Sequence, residues 1–309
     1  MPRVAVCGPS PLLATSIESA PDGAGDAIEV AAAGQGVWVA TAAAVMGAEV
    51  VLCGLSGGGV GRALAPLLDA LAIQTRLVPT TQCAGGYVVD RRGGRDDVVA
   101  TAWSAPPTRG EIDDLLGVTV AAAQDSEVLV VCNPMPGDLL PLDVYATVVG
   151  QARAAGCRVL VDLSSPRLDS ALRGRPHLVK INDWELAEFA VGPVADPADR
   201  DAAIDRMRSG GAGSVVVTRG DESVHAVDEL GARLELVPPH LGPGDPAGCG
   251  DAMSGALAAA LAEDRPWLEA VRLGVAAGAA HFVRGAVDEA SRPWVEELAR
   301  QVTATTIRA

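Results

Sequence analysis

The chain has 309 residues, of which 49% are hydrophobic and 20% are charged. This composition supports a large buried core and excludes a wholly disordered protein. The 39 acidic residues outnumber the 24 basic ones, which gives a formal net charge of -15. Because an acidic surface repels a phosphate backbone and aromatic residues make up only 3% of the chain, we expect no nucleic-acid partner.

The sequence carries no pattern typical of a membrane span, a leader peptide or a cysteine-bound metal. No uncharged apolar run reaches the roughly 18 residues that a span requires, and the first residues lack the apolar core of a signal peptide. The six cysteines form no C-x-x-C pair, and the four histidines show no metal-binding spacing. We therefore expect reduced thiols, a cytoplasmic location and no membrane partner.

Short apolar runs alternate with alanine- and leucine-rich stretches along most of the chain. The runs predicted as buried strands are Val4–Cys7, Val50–Cys53, Val128–Cys132, Arg158–Asp162, Leu178–Ile181 and Ser214–Thr218. The predicted helices are Val37–Met46, Val60–Leu71, Leu142–Ala154, Pro197–Ser209 and, after Gly248, residues 251–262, 266–284 and 291–304. This alternation indicates a doubly wound α/β fold, with a mostly parallel sheet and helices on both of its faces.

Two segments, residues 10–30 and 80–104, interrupt this alternation. The first is rich in Ser, Pro, Gly and Asp, and the second alternates polar and apolar residues around Gly85-Gly86 and Gly93-Gly94. The second pattern is typical of a hairpin with a glycine turn. We expect both segments to form a small β lid within a single domain of residues 1–309; the alternative is two ordinary surface excursions.

A polar Gly/Pro loop, residues 242–248, leads directly into an apolar helix. Small residues at positions 247–250 allow backbone N–H groups to approach a ligand closely, and the helix N-terminus favours a phosphate. Asp251 falls in the first turn of that helix. A carboxylate beside a phosphate-binding loop suits the general base for a hydroxyl that accepts a phosphoryl group. The alternative is that Asp251 only caps the helix.

Polar residues also lie at the ends of two strands predicted earlier in the chain, Leu178–Ile181 and Ser214–Thr218. Asn182 and Glu185 lie where a strand ends and a helix begins, and an amide and a carboxylate suit Mg²⁺, bound directly or through water. Thr218 and Gly220 close the following strand, where they could meet nucleotide phosphates. Lys180, the only lysine, either reaches a phosphate or is a surface residue at its strand end.

Six segments along the chain resemble motifs of the ribokinase-like (PfkB) carbohydrate kinases. Asp245-x-x-Gly248-x-Gly250-Asp251 is similar to the D-T-x-G-A-G-D signature of that family, with Pro246 for Thr and Cys249 for Ala. The other similar segments are Gly34–Ala40 (G-x-x-x-N-x-A), Gly54–Gly61 (a glycine-rich segment), Lys180–Leu186 (K-P-N-x-x-E-L), Thr218–Gly220 (T-x-G) and Arg272–Ala280 (the helix beside the adenine).

The resemblance implies an ATP-dependent kinase that phosphorylates a hydroxyl of a small sugar, polyol or nucleoside. It implies ATP and Mg²⁺ as cofactors, with a monovalent cation as an option, and a homodimer formed through the lid as another. The residues it assigns are Asp251 as base with the N–H groups of Gly248, Cys249 and Gly250; Asn182, Thr218, Gly220, Ala247 and Gly278 for the nucleotide; Glu185 for the metal; and Gly34, Gln35, Trp38 and Asn133 for the acceptor.

The sequence is most similar to the phosphofructokinase and tagatose-phosphate kinase branch, but it departs from that branch at the acceptor. Gln35 stands for a lysine and Trp38 for an asparagine, while Leu12 and Gly86 align near a sugar-binding aspartate and a lid arginine. Losing a cation opposite a phosphate removes a bond of roughly 1.5–3 kcal/mol. We therefore expect an unphosphorylated acceptor to be preferred.

Two alternatives remain open. One is a phosphosugar kinase of the phosphofructokinase type, with a lid arginine restoring the positive charge; the candidates are Arg91, Arg92 and Arg95. The other is a non-catalytic small-molecule-binding protein that retains the fold, although a pure binder does not need the base Asp251.

Overall fold

The computed structural model describes residues 1–20, 23, 25–284 and 291–307. Its strands are β1 (Arg3–Cys7), β2 (Leu12–Ser19), β3 (Asp26–Ala33), β4 (Glu49–Gly57), β5 (Gln74–Thr80), β6 (Gly86–Asp90), β7 (Asp97–Ala102), β8 (Val128–Cys132), β9 (Arg158–Asp162), β10 (Leu178–Asn182), β11 (Ser214–Thr218), β12 (Val224–Val227), β13 (Arg233–Val237) and β14 (Thr303–Ile307). Its helices are α1 (Gln35–Val45), α2 (Gly58–Asp69), α3 (Arg109–Gln124), α4 (Asp143–Ala154), α5 (Arg167–Arg173), α6 (Asp183–Ala190), α7 (Pro197–Gly210), α8 (Cys249–Ala262), α9 (Trp267–Arg284) and α10 (Arg292–Gln301).

Ten of the strands form one sheet, in the order β14-β13-β12-β11-β10-β9-β8-β1-β4-β5. The strands from β5 across to β11 pair in parallel, and β12, β13 and β14 add an antiparallel edge. Successive residues of β1 face opposite sides, so that Val4 and Val6 join one hydrophobic core and Ala5 and Cys7 the other. Helices cover both faces of a sheet built in this way. The predicted mostly parallel α/β fold is confirmed.

The predicted helix over residues 291–304 is wrong at its end. Helix α10 ends at Gln301, and Thr303–Ile307 forms β14, which pairs antiparallel with β13. Most residues of β14 are β-branched, which favours a strand where a sheet edge is open to pair with. Strands β5, β12 and β13 were not predicted, nor was α3, although Thr108 and Glu111 form a capping box at its start.

The segments at residues 10–30 and 80–104 supply a second sheet of four strands, in the order β3-β2-β6-β7. Strands β6 and β7 form the expected antiparallel hairpin, and β2 pairs in parallel with β6. Residues 21, 22 and 24 of the first segment lie outside the described residues. Strand β3 ends at Ala33 and α1 begins at Gln35, so the small sheet leads directly to the carboxyl edge of the large one. In the part of the chain described, no helix has both the length and the apolar character to cross a membrane.

Candidate active site

The loop before α8 adopts a conformation that requires glycine. Gly248 has φ +78°, and a Cβ atom there would lie 2.6 Å from Nε2 of His281 on α9. A Cβ atom on Gly278, also on α9, would lie 3.2 Å from the carbonyl oxygen of Cys249. These close approaches seat the N-terminus of α8 against α9 and place Asp251 in the first helical turn.

Asp251 is the carboxylate at this helix N-terminus. Burial, followed by the nearby Asp162 carboxylate, raises the pKa of Asp251 from 3.8 to about 7, although Lys180 and a hydrogen bond with the Gln35 side chain oppose the shift. A carboxyl group with a pKa near neutrality is suited to accept a proton from a substrate hydroxyl. The same loop holds the Cys249 thiol protonated, because burial raises its pKa to about 11.

Lys180 does not lie on the surface. Its side chain is buried, and Nζ lies 3.1 Å from Oδ2 of Asp162, which also accepts a 2.6 Å hydrogen bond from Oγ of Ser254. A Cβ atom on Gly250 would lie 2.7 Å from Nζ of Lys180. The surface interpretation of Lys180 is wrong: its charge lies directly beneath the loop and is paired with Asp162.

The nucleotide and metal candidates lie at the neighbouring strand ends. Asn182 and Thr218 are paired in register at the ends of β10 and β11. Asn182 Oδ1 accepts from the Glu185 N–H at 2.9 Å, and Glu185 Oε2 accepts from the Asn182 N–H at 3.0 Å. Burial raises the pKa of Glu185. Gly220, just beyond β11, is exposed with φ +60°, and space for a Cβ atom there is open.

The remaining nucleotide candidate, Ala247, lies in the loop itself. Its N–H donates to Oδ1 of Asp245 at 2.9 Å, so Asp245 stabilises the conformation of the loop. The described residues contain no group of three or more His, Cys, Asp or Glu side chains placed to hold a metal ion. Glu185 is therefore a single carboxylate at the edge of the site, suited to an ion that keeps most of its water.

On the acceptor side, the Gln35 side chain contacts both Asp251 and the residues at the ends of β8 and β9. Its Oε1 accepts a 2.6 Å hydrogen bond from the Asn133 N–H, and its Nε2 donates to the carbonyl oxygen of Asp162 at 3.4 Å. Gly34 has φ +103°, and a Cβ atom there would lie 2.9 Å from the Ser10 carbonyl oxygen. Gln35 and Asn133 are thus brought together with Asp251, whereas Trp38 lies almost one turn further along α1 and is 40% exposed.

Sequence reasoning missed Arg167, at the start of α5. Its Nε donates to Asn133 Oδ1 at 2.9 Å, its Nη1 to the Gly137 carbonyl oxygen at 2.8 Å and its Nη2 to Ser164 Oγ at 2.5 Å. Its bonding partners in the described chain are neutral oxygens, and no ion pair involves it there. The sequence gives little sign of this, because Asn133 lies 34 positions away.

The lid arginines, by contrast, are already paired. Their partners are Glu18 and Asp96 for Arg91, Asp26 and Asp90 for Arg92, and Asp97 for Arg95. These carboxylates largely neutralise the three charges. In this conformation all three arginines form ion pairs, so none of them offers an unpaired positive charge to an acceptor phosphate.

Residues 12–290 match the family model described as "pfkB family carbohydrate kinase". The chain belongs to the pfkB family. It is 34% identical over 163 residues to the ATP-dependent 6-phosphofructokinase isozyme 2 of Escherichia coli K12, covering 52% of each chain. It is 39% identical over 134 residues to the 1-phosphofructokinase of Xanthomonas campestris, covering 42% of each. The chain thus spans about half the length of these curated relatives.

Among solved structures, the phosphofructokinase-2 of Escherichia coli in complex with potassium matches with a TM-score of 0.85 and 25% identity. The match covers 97% of this chain and 100% of that one. The family resemblance drawn from these six segments is confirmed, and the pfkB fold extends over nearly the whole chain.

Proposed function

We propose that this pfkB-family protein transfers the terminal phosphoryl group of ATP to a hydroxyl of a small carbohydrate. The observation that carries the proposal is the position of Asp251 within the first turn of α8, behind a loop of small residues, with a pKa raised to about 7. A protein that only bound carbohydrate would not need an ionisable group tuned in this way.

In the proposed reaction, the acceptor oxygen attacks the terminal phosphorus as its proton passes to a carboxylate oxygen of Asp251. The bond from phosphorus to the bridging oxygen of ATP breaks, and ADP leaves with that oxygen. Backbone N–H groups of Gly248 and Gly250 stabilise the charge on the transferred group, and the Cys249 N–H, which donates to the Pro246 carbonyl oxygen at 3.3 Å, joins them by exchanging that partner for the phosphoryl oxygen. Nucleotide contacts fall to Ala247 and Gly278 at the loop, and to Asn182, Thr218 and Gly220 at the strand ends.

Mg²⁺ fits this site through Glu185. The Asn182 N–H donates to one of its carboxylate oxygens, and within the described chain the other oxygen is left to accept from water. Since Mg²⁺ keeps several waters, one such carboxylate suffices to orient the hydrated ion, which would neutralise nucleotide phosphates when bound. The potassium complex of the Escherichia coli relative supports a monovalent cation as a further requirement.

The test is Asp251→Asn, with Asp69→Asn, an exposed residue ending α2, as the matched control. The amide keeps the shape of the side chain and removes the base, so turnover should fall by about 10²–10⁴ while ATP affinity stays close to that of the unaltered protein. The control should keep full turnover. Full turnover of Asp251→Asn would reduce Asp251 to a helix cap and would refute the proposed mechanism.

A phosphosugar acceptor is a second candidate, and two observations favour it. The curated relatives are phosphofructokinases, and Arg167 offers a cation beside Asn133 without a carboxylate partner in the described chain. Two observations argue against a phosphosugar. Leu12 and Trp38 stand where related kinases are expected to have polar contacts, and the lid arginines are already paired with carboxylates. Preference for an unphosphorylated acceptor therefore remains a prediction.

Competition between each phosphosugar and its unphosphorylated parent decides between the two acceptors. A tenfold preference corresponds to about 1.4 kcal/mol, which one arginine–phosphate contact supplies. If the phosphosugar wins, Arg167→Met should raise its KM while leaving that of the parent sugar unchanged. If the parent wins by tenfold or more, the second candidate is wrong.

The small sheet supports a proposed homodimer. Its exposed side chains include Ile28 at 69%, Val30 at 47%, Val98 at 65% and Val99 at 62% exposure, and apolar surface of this kind marks an interface. A tetrameric form of the Escherichia coli relative has been solved. Sedimentation should show a dimer that Val98→Glu dissociates; a monomeric unaltered protein would refute this.

The cellular expectations remain predictions. We propose a cytoplasmic protein, because that compartment supplies ATP and keeps thiols reduced. Its partners would then be small molecules and a second copy of itself, with neither nucleic acid nor membrane involved. Fractionation of cells expressing the tagged protein tests the location.

A further inference from the structure

A cavity lies at the opposite end of the parallel strands from Asp251. It has a volume of about 760 Å³, and the charged or titratable residues that line it are Arg153, Arg173, Arg175, His177, Arg208 and Glu229. His177 immediately precedes β10, and the arginines lie at or just beyond the C-terminal turns of α4, α5 and α7. The cavity therefore faces the amino ends of the parallel strands, whereas the candidate active site lies at their carboxyl ends.

The four arginines of this cavity lack acidic partners. Within the described ranges, no carboxylate oxygen forms an ion pair with any of them, and the hydrogen bonds that three of them donate go to neutral oxygens. Arg153 donates to the Arg175 carbonyl oxygen, Arg173 Nη2 to Ser170 Oγ at 2.9 Å, and Arg208 Nη2 to the Glu229 carbonyl oxygen at 2.9 Å. These bonds brace helix ends but use only part of the five donors of each guanidinium. Four guanidinium groups thus line one cavity without an ion-pair partner in the described chain, and they outnumber the one carboxylate among its lining residues, that of Glu229.

His177 reports the same positive field. Burial is the first cause that lowers its pKa from 6.5 to about 4, and the charges of Arg153 and Arg158 add to the shift. Its Nδ1 accepts a 3.0 Å hydrogen bond from the Val159 N–H, so this ring nitrogen faces β9. The imidazole is therefore fixed in place as a neutral neighbour of the arginine cluster.

We propose that this cavity is a second ligand site, which binds a small phosphorylated anion carrying a diphosphate or triphosphate group. A guanidinium group can donate two parallel hydrogen bonds to one phosphate. Four guanidinium groups therefore suit a ligand with several negatively charged phosphates better than a ligand with one. The cavity volume lies in the range of small-molecule sites. Arg173 and Arg175 are exposed, so an anion can reach them from solvent.

The test uses inorganic pyrophosphate as the probe and two histidines as reporters, followed by NMR of their imidazole signals. His177 lines the cavity, and His281 lies against Gly248 in the active-site loop, so binding at each site is read separately. Pyrophosphate should shift the His177 signals in a saturable way. Arg173→Glu should weaken that binding at least tenfold, whereas Arg62→Glu, the same charge change on the exposed face of α2, should leave it unaltered.

Several outcomes would overturn the proposal. No change of the His177 signals at millimolar pyrophosphate would show that the arginines act only as helix braces. Shifts confined to His281 would place anion binding in the active-site loop alone and leave the proposed kinase reaction intact. Equal weakening by Arg62→Glu would indicate general charge attraction. AMP, with one phosphate, binding as tightly as pyrophosphate would contradict the need for a multiply charged group, whereas ADP should match pyrophosphate.

Discussion

Acidification should switch off phosphoryl transfer around neutral pH rather than around pH 4. In the proposed mechanism Asp251 must be ionised to accept the hydroxyl proton, and its pKa is raised to about 7 by burial and by the Asp162 carboxylate. Below that value the ionised fraction falls tenfold per pH unit. At about pH 5 it is roughly one-hundredth of its value at pH 8, and kcat/KM for the acceptor should fall in proportion.

The measurement is kcat/KM for the acceptor at saturating ATP and Mg²⁺ between about pH 5 and pH 9, plotted logarithmically. We expect a limb of unit slope that bends near pH 7. The residual rate of Asp251→Asn serves as the control, because without the carboxyl group it should not follow this limb. A wild-type profile that stays flat down to about pH 5 would refute the assignment of a raised pKa to an essential base.

Three further outcomes follow from the same residues. Because the pKa of Asp251 is raised in the folded state, ionisation of its carboxyl group lowers the free energy of unfolding as pH rises from about 4 through about 7. Urea unfolding at about pH 8 should therefore show Asp251→Asn to be more stable than wild type, by about 2–4 kcal/mol. Below about pH 4 the two proteins should have the same free energy of unfolding. Glu185→Gln keeps the cap on Asn182 and removes a charge, so a Mg²⁺ titration of activity should shift to higher concentration; an unchanged curve would leave Glu185 a helix cap. Gly248→Ala places a Cβ atom 2.6 Å from His281 at φ +78°, so ATP affinity measured by calorimetry should fall by at least tenfold, and unaltered affinity would show that the loop does not hold nucleotide.

The parts of the fold set by local pattern were predictable from the sequence. Continuous apolar runs such as Val128–Cys132 became central strands with the predicted bounds, because residues buried on both faces leave a clear signal. The start of α8 was predictable for a similar reason, since small residues followed by Asp251 and an apolar run mark a helix N-terminus. The β14 strand was not, because the pairing of Thr303–Ile307 depends on the open edge of β13.

The hydrogen bonds and ion pairs of the site join segments that are distant in the sequence, and a single sequence does not reveal such pairs. Lys180 is buried because Asp162, 18 positions away, lies on the neighbouring strand. Gln35 is predicted to contact the acceptor, and its amide oxygen accepts a hydrogen bond from the Asn133 N–H, 98 positions away. Arg167 carries no motif at all. In each case the sequence gives the type of residue, but the identity of its partner follows from the order of the strands in the sheet.

The helix that carries the base packs against the helix that carries Gln35: a Cβ atom on Gly255 of α8 would lie 2.5 Å from the Val39 carbonyl oxygen of α1. Gln35 and Asp251 are more than two hundred positions apart. At about 5–20 residues per second, a ribosome exposes Gln35 roughly ten to forty seconds before Asp251 is made. A nascent chain that has not yet reached α8 therefore holds the acceptor side without the base or the phosphate loop. In the proposed reaction, an unfinished copy therefore lacks the base for phosphoryl transfer until α8 is made and docks on α1.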